Sequence, residues 1–335
     1  MNILLTFAAD KTEMIQYFKQ AVGNTGKVFA SNCMVNYSLT QADGYLISPH
    51  AYEKSYIPDI TDYCKKNNIT VIVPLSGADL SVLSKNKNKL YDLDISVIVS
   101  DESVIDICID RWKTIAFLKS IGVNHPKTYI DLKAAKRDIE AGLLSFPLFL
   151  KPRFSFEKTN GIDVDTIEEL DLFYRKMQKS IIYSSDFQQN ENQHIIIHEE
   201  IHGDRYGVSM LHNLKGNYVV GFTLRKLTAT GDNIQLAHIE NIMSLDFINK
   251  LISSGLKPIS CFEIECYLKE SGEITVSEIN PYFGKQYPLI HAAGANFPKQ
   301  IIDWLNGFPV LPDNISCEIG VMLESESNFK YCIIN

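Results

Sequence analysis

Apolar residues come first as a short unbroken run, Asn2–Ala8 (NILLTFA), and then at helical spacing, with Met14, Ile15, Phe18 and Val22 along Lys11–Val22. A run of that length fits a strand buried on both faces, and the spacing that follows fits an amphipathic helix. The alternation repeats, with strands expected at Gly26–Ala30, Gly44–Ser48, Thr70–Pro74 and Ile95–Ser100 and helices over about Tyr56–Asn67 and Gly77–Lys89. Strands alternating with helices predict an open parallel α/β domain over residues 1–108. Beyond it the pattern changes to single helices and hairpins. A helix begins at Asp110-Arg111-Trp112-Lys113, Phe146–Pro152 (FPLFLKP) is an apolar strand broken by Lys151, and Gln193–Gly203 is a β-branched strand running into a hinge. Tyr206–Leu214 and Tyr218–Arg225 form a hairpin around Lys215-Gly216-Asn217, and helices follow at about Leu245–Ser254 and Pro298–Asn306, with closing strands over 311–335. His238 falls in a linker before the first of these helices.

The stretch Cys261–Gly284 carries the most chemistry. Read as two strands around a two-residue loop at Ser271-Gly272, it pairs Glu265 with Glu278 and sets Glu263, Glu265, Glu278 and Asn280 on one face. Opposed carboxylates destabilise a sheet unless a cation lies between them. Oxygen donors without Cys or His suit Mg²⁺. An acidic hairpin solvated by water satisfies the same spacing.

Composition narrows the classes. Lys+Arg 32 against Asp+Glu 40 gives a net charge of −8, which offers no general pull toward nucleic acid or anionic lipid. The N-terminus has no basic region ahead of its short apolar run, and no stretch approaches a membrane span, so a cytoplasmic protein without a membrane partner is expected. Seven cysteines without a CxxC pair read as buried free thiols. Ala8-Ala9-Asp10 after the first strand lacks the glycines of a dinucleotide fingerprint, which disfavours nicotinamide and flavin. Ser76, Gly77 and Asp79 follow a strand end, where open α/β sheets place ligands, and they equally fit a helix N-cap and first turn.

Glu278-Ile279-Asn280-Pro281, with Gly284 and then Ala293-Gly294-Ala295-Asn296-Phe297-Pro298, resembles the C-terminal signature of ATP-grasp enzymes, in their carbamoyl-phosphate-synthetase-like and carboxylate-amine ligase branch. The resemblance implies a pre-ATP-grasp domain followed by a two-lobed ATP-grasp domain over 109–310, with a small mobile lobe at about 122–200. It implies ATP with Mg²⁺ or Mn²⁺ held by Glu265, Glu278 and Asn280, and a carboxylate activated as an acyl phosphate for capture by an amine. By the same resemblance Arg111, Lys151, Arg153, Glu199, Glu200, Ile201 and Asp204 contact the nucleotide. Arg225 resembles the family residue that holds the γ-phosphate and acyl phosphate; Lys285, near where the second substrate is expected, is a candidate to supply the positive charge lost with Tyr282. Burying an ammonium is costly unless it meets an anion, which independently aims Lys151 at phosphate. A homodimer is left open.

Two departures and one competing motif stand beside this. Tyr282 occupies the place where the family carries Arg, and 153–161 holds a single glycine where the family has a glycine-rich phosphate loop, leaving Ser155, Lys158 and Thr159 to reach phosphate by side chain. A nucleotide-binding protein with weak or no turnover is therefore an alternative. His198-Glu199-Glu200-Ile201-His202 matches H-E-x-x-H, the pattern of zinc hydrolases, which requires both histidines on one helix face.

Overall fold

The computed structural model describes residues 1–154, 161–184, 193–230 and 233–324. The chain divides into two compact units, Met1–Ile105 with Arg205–Ile264 and Asn280–Asn335, and Asp106–Asp204 with Glu265–Ile279.

In the first unit β1 (Asn2–Thr6), β2 (Val28–Asn32), β3 (Gly44–Ile47), β4 (Ile69–Pro74) and β5 (Ser96–Val97) form a parallel sheet in the order β3-β2-β1-β4-β5. Each expected strand is present. Ile3, Leu5, Val28, Ala30, Val71 and Val73 point into a core with Met14, Ile15 and Phe18 of the helix Thr12–Val22. The opposite face carries Phe29, whose ring packs on Tyr63 of the helix Tyr56–Lys66. Asp79 precedes the helix Leu80–Tyr91 but does not cap it; its carboxylate instead accepts from the Tyr56 hydroxyl at 2.7 Å.

The second unit holds an antiparallel sheet of β6 (Thr128–Tyr129), β7 (Leu148–Pro152), β8 (Ile162–Val164) and β9 (Ile195–Glu199), in the order β6-β9-β7-β8. Leu148, Leu150, Ile195 and Ile197 bury one face against the helices Leu132–Glu140 and Ile167–Ser184, neither of which the sequence reading marked.

A six-stranded sheet takes β10 (Asp204–His212), β11 (Tyr218–Thr230), β12 (Asn233–Glu240), β13 (Ser260–Leu268), β14 (Ile274–Asn280) and β15 (Met322–Glu324), in the order β14-β13-β10-β11-β12-β15. Residues 260–264 and 280 of its edge hairpin belong to the first unit and 265–279 to the second. The expected linker around His238 is instead β12: Arg225 pairs with His238, so the β10–β11 hairpin gains a third strand.

The turn between β13 and β14 also differs from expectation. The Lys269 amide donates to the Glu273 carbonyl and the Gly272 amide to the Lys269 carbonyl, which leaves three residues in the loop. Gly272 has φ +85, a left-handed conformation that closes three-residue hairpins. One extra loop residue alone would set Glu265 opposite Ser277, whose hydroxyl donates to the Glu265 carbonyl. The three-residue loop thus does not give the expected pairing of Glu265 with Glu278; β14 is buried at Ile274, Thr275, Val276 and Ile279, with Glu278 half-buried.

Glu263 is only 1 % exposed. Its Oε1 accepts from the Ser209 hydroxyl at 3.1 Å and the Tyr287 amide at 3.2 Å. Lys11, whose ammonium donates to the Phe283 carbonyl at 3.0 Å, is pushed below its usual range by burial against the opposing pull of Glu263. Glu263 is therefore an internal anchor and not an exposed acid of the hairpin.

A Cβ placed on Gly284 would lie 2.0 Å from Glu263 Oε2, so Gly284→Ala must displace that carboxylate. It is expected to destabilise by about 1–3 kcal/mol, read as a lower thermal midpoint; an unchanged midpoint would show the carboxylate free to turn away. Burial raises the Asp79 carboxyl from 3.8 to about 6. A folded-state pKa above the unfolded one stabilises fully below the unfolded value, and that gain is lost as pH rises through 6. Asp79→Asn removes the dependence, so its midpoint relative to the wild type should climb between pH 4 and 7.5, by roughly 1–3 kcal/mol in stability terms. A flat difference across that range would place the Asp79 carboxyl at an ordinary pKa.

Candidate active site

The helix Arg111–Ser120 begins at Asp110, whose carboxylate accepts from the Trp112 amide at 3.0 Å and caps the first turn. That carboxylate is also gripped bidentately by Arg153, Nε to Oδ1 at 2.8 Å and Nη2 to Oδ2 at 2.7 Å. A planar guanidinium spent in a fork–fork pair is fixed in place. Arg153, expected at the nucleotide, thus locks the start of the helix to the end of β7, reinforced by the Arg111 amide donating to the Arg153 carbonyl.

This clamp positions Arg111. Its Nη1 donates to the Pro152 carbonyl at 3.0 Å and its Nη2 to Glu278 Oε1 at 2.8 Å. The pair is partly buried, the two side chains 16 % and 24 % exposed, so its charges are less screened than at the surface.

Strand alternation places Lys151. Along β7, Leu148 and Leu150 face the core, which puts Phe149 and Lys151 on the other face. Phe149 pairs with His198 and Lys151 with Ile196, so His198 shares that face. Burial drives the His198 ring down to about 3, helped by the positive charges of Lys151 and Arg111 and opposed by Glu278. His198 is therefore neutral, and all three charges act on one ring. Its Nδ1, 2.8 Å from the Glu199 carbonyl, carries the proton, and its Nε2 is buried with no hydrogen-bond partner. Within the second unit the fold gathers Arg111, Lys151, Glu278 and His198. His198 was read in the sequence only as part of a metal motif; its alternation with Lys151 across paired strands was the signal for its place here.

The H-E-x-x-H reading fails on geometry. Ile195–Glu199 is a strand, so His198 and Glu199 point to opposite faces, and His202 lies past its end, 75 % exposed and 3.6 Å from Glu200. Among the described residues no group of three or more His, Cys, Asp or Glu is placed to hold a metal. Glu199 Oε1 accepts from the Lys127 amide at 2.8 Å, which ties β6 to β9. The Glu200 amide reaches the Pro147 carbonyl at 3.4 Å, Ile201 is half-buried after the strand, and Asp204 is exposed at the start of β10.

In the first unit Arg225 pairs across β10 with Tyr206 and across β12 with His238. Glu240 accepts from the Tyr206 hydroxyl at 2.9 Å and from His238 Nδ1 at 2.9 Å, and this pairing raises the His238 pKa. Tyr206, His238 and Glu240 were not foreseen; their shared face with Arg225 needed β12. Asn280 is half-buried at the end of β14, and Lys285 is exposed after Gly284. Glu265, Glu278 and Asn280, expected to hold the metal, carry carboxylate and amide oxygens, donor types that suit a hard divalent cation; Glu265 and Glu278 belong to the second unit and Asn280 to the first. Ser155, Lys158 and Thr159 lie outside the described residues.

Residues 3–98 match the PylC-like N-terminal domain family. By sequence alone no curated protein matches the chain. Among solved structures it is similar to an ADP complex of N5-carboxyaminoimidazole ribonucleotide synthetase, with 12 % identity and a TM-score of 0.71 over 92 % of this chain and 78 % of that one. It is similar to a biotin carboxylase from Campylobacter jejuni, with 15 % identity and a TM-score of 0.71 over 96 % and 74 %. An L-amino acid ligase from Bacillus licheniformis matches with 17 % identity and a TM-score of 0.70 over 94 % and 77 %. No helix among the described residues is long and apolar enough to cross a membrane. A PylC-like N-terminal domain and a chain that follows these three enzymes over more than nine-tenths of its length together give the protein the ATP-grasp fold.

Proposed function

We propose that the protein is an ATP- and Mg²⁺-dependent ligase that phosphorylates a carboxylate and couples it to an amine, releasing ADP and phosphate. The observation that carries this reading is the gathering of Arg111, Lys151 and Glu278 about one face of the four-stranded sheet. Arginine and lysine side chains brought to one face, each partly buried, are the groups that meet phosphate oxygens in nucleotide sites. The similar structures support it: an ADP complex of a ribonucleotide synthetase, a biotin carboxylase–β-γ-ATP complex and an L-amino acid ligase.

In the reaction a carboxylate oxygen of the substrate attacks the γ-phosphorus and ADP leaves. The amine then attacks the acyl carbon, phosphate departs with the bond electrons, and the amine loses a proton. Lys151 and Arg111 offset negative charge on the phosphates, and Arg225 and Lys285 are assigned to the acyl phosphate side. Glu265, Glu278 and Asn280 would hold Mg²⁺, which when bound neutralises phosphate charge. Arg111 then exchanges a carboxylate for a phosphate partner as the nucleotide arrives. Glu199, Glu200, Ile201 and Asp204 are assigned to the base and ribose side.

Tyr282, in place of the arginine expected two residues after Asn280, favours a second reading in which the nucleotide binds and turnover is weak. ADP release measured across a panel of carboxylates, with and without an amine, separates the two; release that never depends on an amine sinks the ligase reading. Lys151→Met and Glu278→Ala should each lower kcat/KM for amine-dependent ADP release by about 10² or more while leaving the circular dichroism of the fold unchanged. Wild-type turnover in either variant removes that residue from the site. Metal analysis should find zinc content identical in the wild type and His202→Ala; stoichiometric zinc lost in the variant would restore the hydrolase reading.

A further inference from the structure

The parallel sheet of the first unit runs outward from β1, to β2 and β3 on one side and to β4 and β5 on the other. The connections after β1 and β4 therefore leave in opposite directions, and in open α/β sheets the crevice beyond the carboxyl ends of two such strands is where ligands bind. Thr6 ends β1 and pairs with Pro74, which ends β4, and Asp79 follows in the loop after β4.

Buried polar side chains collect at this edge. Leu5 pairs with Ala30, so Thr6 and Ser31 come next in register on one face, and Ser48 lies one step further on that face, past Leu46, the partner of Ser31. Thr6, Ser31 and Asp79 are 0 % exposed and Ser48 is 4 % exposed. The hydroxyls of Thr6, Ser31 and Ser48 and Oδ1 of Asp79 have no hydrogen-bond partner. The Tyr56 hydroxyl donates to Asp79 Oδ2. The Thr6 hydroxyl lies close enough to Asp79 and Tyr56 to favour the carboxylate without reaching hydrogen-bond geometry. No lysine, arginine or histidine among the described residues pairs with Asp79.

Four unsatisfied buried oxygens at one sheet edge are costly, and an unpaired buried carboxylate is the costliest of them. The set is rich in acceptors and carries one negative charge, which repels anions. A primary ammonium has three donors and one positive charge and answers both needs. We propose that the carboxyl edge of β1 and β4 is a binding site for a primary ammonium group, held by Asp79 with the hydroxyls of Thr6 and Ser31. Tyr56, the partner of Asp79, is itself held from the loop after β1, where the Phe7 ring lies 6.0 Å from its own. The site stands independently of the ligase reading; the amine which that reaction would consume belongs to the same chemical class.

The test uses the full chain without ATP, so its failure leaves the ligase reading untouched and a missing turnover leaves this site untouched. Thermal midpoints are measured with methylammonium, ethanolammonium, potassium and tetramethylammonium chlorides at equal ionic strength. The two primary ammonium salts should raise the midpoint by several degrees at saturation, as any ligand bound only by the folded state does. Potassium and tetramethylammonium should not. Asp79→Asn, which keeps the acceptor for Tyr56, should abolish the shift, and Ser31→Ala should raise the half-saturating concentration about tenfold for a lost hydrogen bond of roughly 1.4 kcal/mol. A shift equal in all four salts, or equal in Asp79→Asn, overturns the proposal, as does no shift at all, which would mark a hydrated pocket only. A potassium shift as large as the ammonium one would reassign the oxygens to a monovalent metal ion.

Discussion

A buried carboxylate organises the first unit. Glu263 lies inside β13 and cannot be solvated, so everything near it must supply donors or charge. Ser209 of β10 and the Tyr287 amide at the head of the helix Tyr287–Ala292 supply the donors, Lys11 of the loop after β1 supplies the charge, and Gly284 supplies the room. One side chain thus fixes the antiparallel sheet, the segment after the edge hairpin and the first loop of the parallel sheet against one another. Lys11 meets the Phe283 carbonyl, and Phe283 packs edge-on against Phe18 at 5.9 Å, so the polar anchor is sealed by the core around it. Removing one partner of such a group costs more than the hydrogen bond itself, because the other is left buried.

The parallel half was legible because its strands are buried on both faces and its helices on one. Continuous runs such as Ile69–Pro74 and the spaced Met14, Ile15 and Phe18 leave little choice of element. The second half was harder. β12 was missed because Asn233–Glu240 (NIQLAHIE) alternates weakly and ends beside a helix, and without it Arg225 had no visible neighbours. The edge hairpin was placed correctly, but its loop length was not. A Ser-Gly pair reads as a two-residue turn, and only the hydrogen bond from the Lys269 amide to Glu273 makes it three. Register depends on that one residue, since a shift by one reverses every side chain.

Charge is arranged in pairs of unlike purpose. Arg153 and Arg111 stand at the two ends of the same short contact with the Arg111–Ser120 helix, yet they do different things. Arg153 spends its fork on Asp110, itself 2 % exposed, and becomes part of the frame. Arg111 is held at Nη1 by a backbone carbonyl, leaving Nη2 on a carboxylate it can exchange. A residue list drawn from resemblance treats both as nucleotide contacts. The geometry separates them by what each guanidinium already holds.

The same accounting bears on Tyr282. If the arginine expected there normally counters charge during transfer, its loss must be met by cations elsewhere or accepted as slower chemistry. Arg153 cannot move to compensate without unsealing the helix N-cap, and Lys285 is itself exposed, so its charge is screened. Lys151 and Arg111, about the neutral ring of His198, are partly buried positive charges of the second unit. A neutral imidazole between two cations adds no repulsion, whereas a protonated one would oppose both. The burial that keeps His198 uncharged is therefore what lets the two cations crowd the same face, and the departure at Tyr282 makes that crowding matter more.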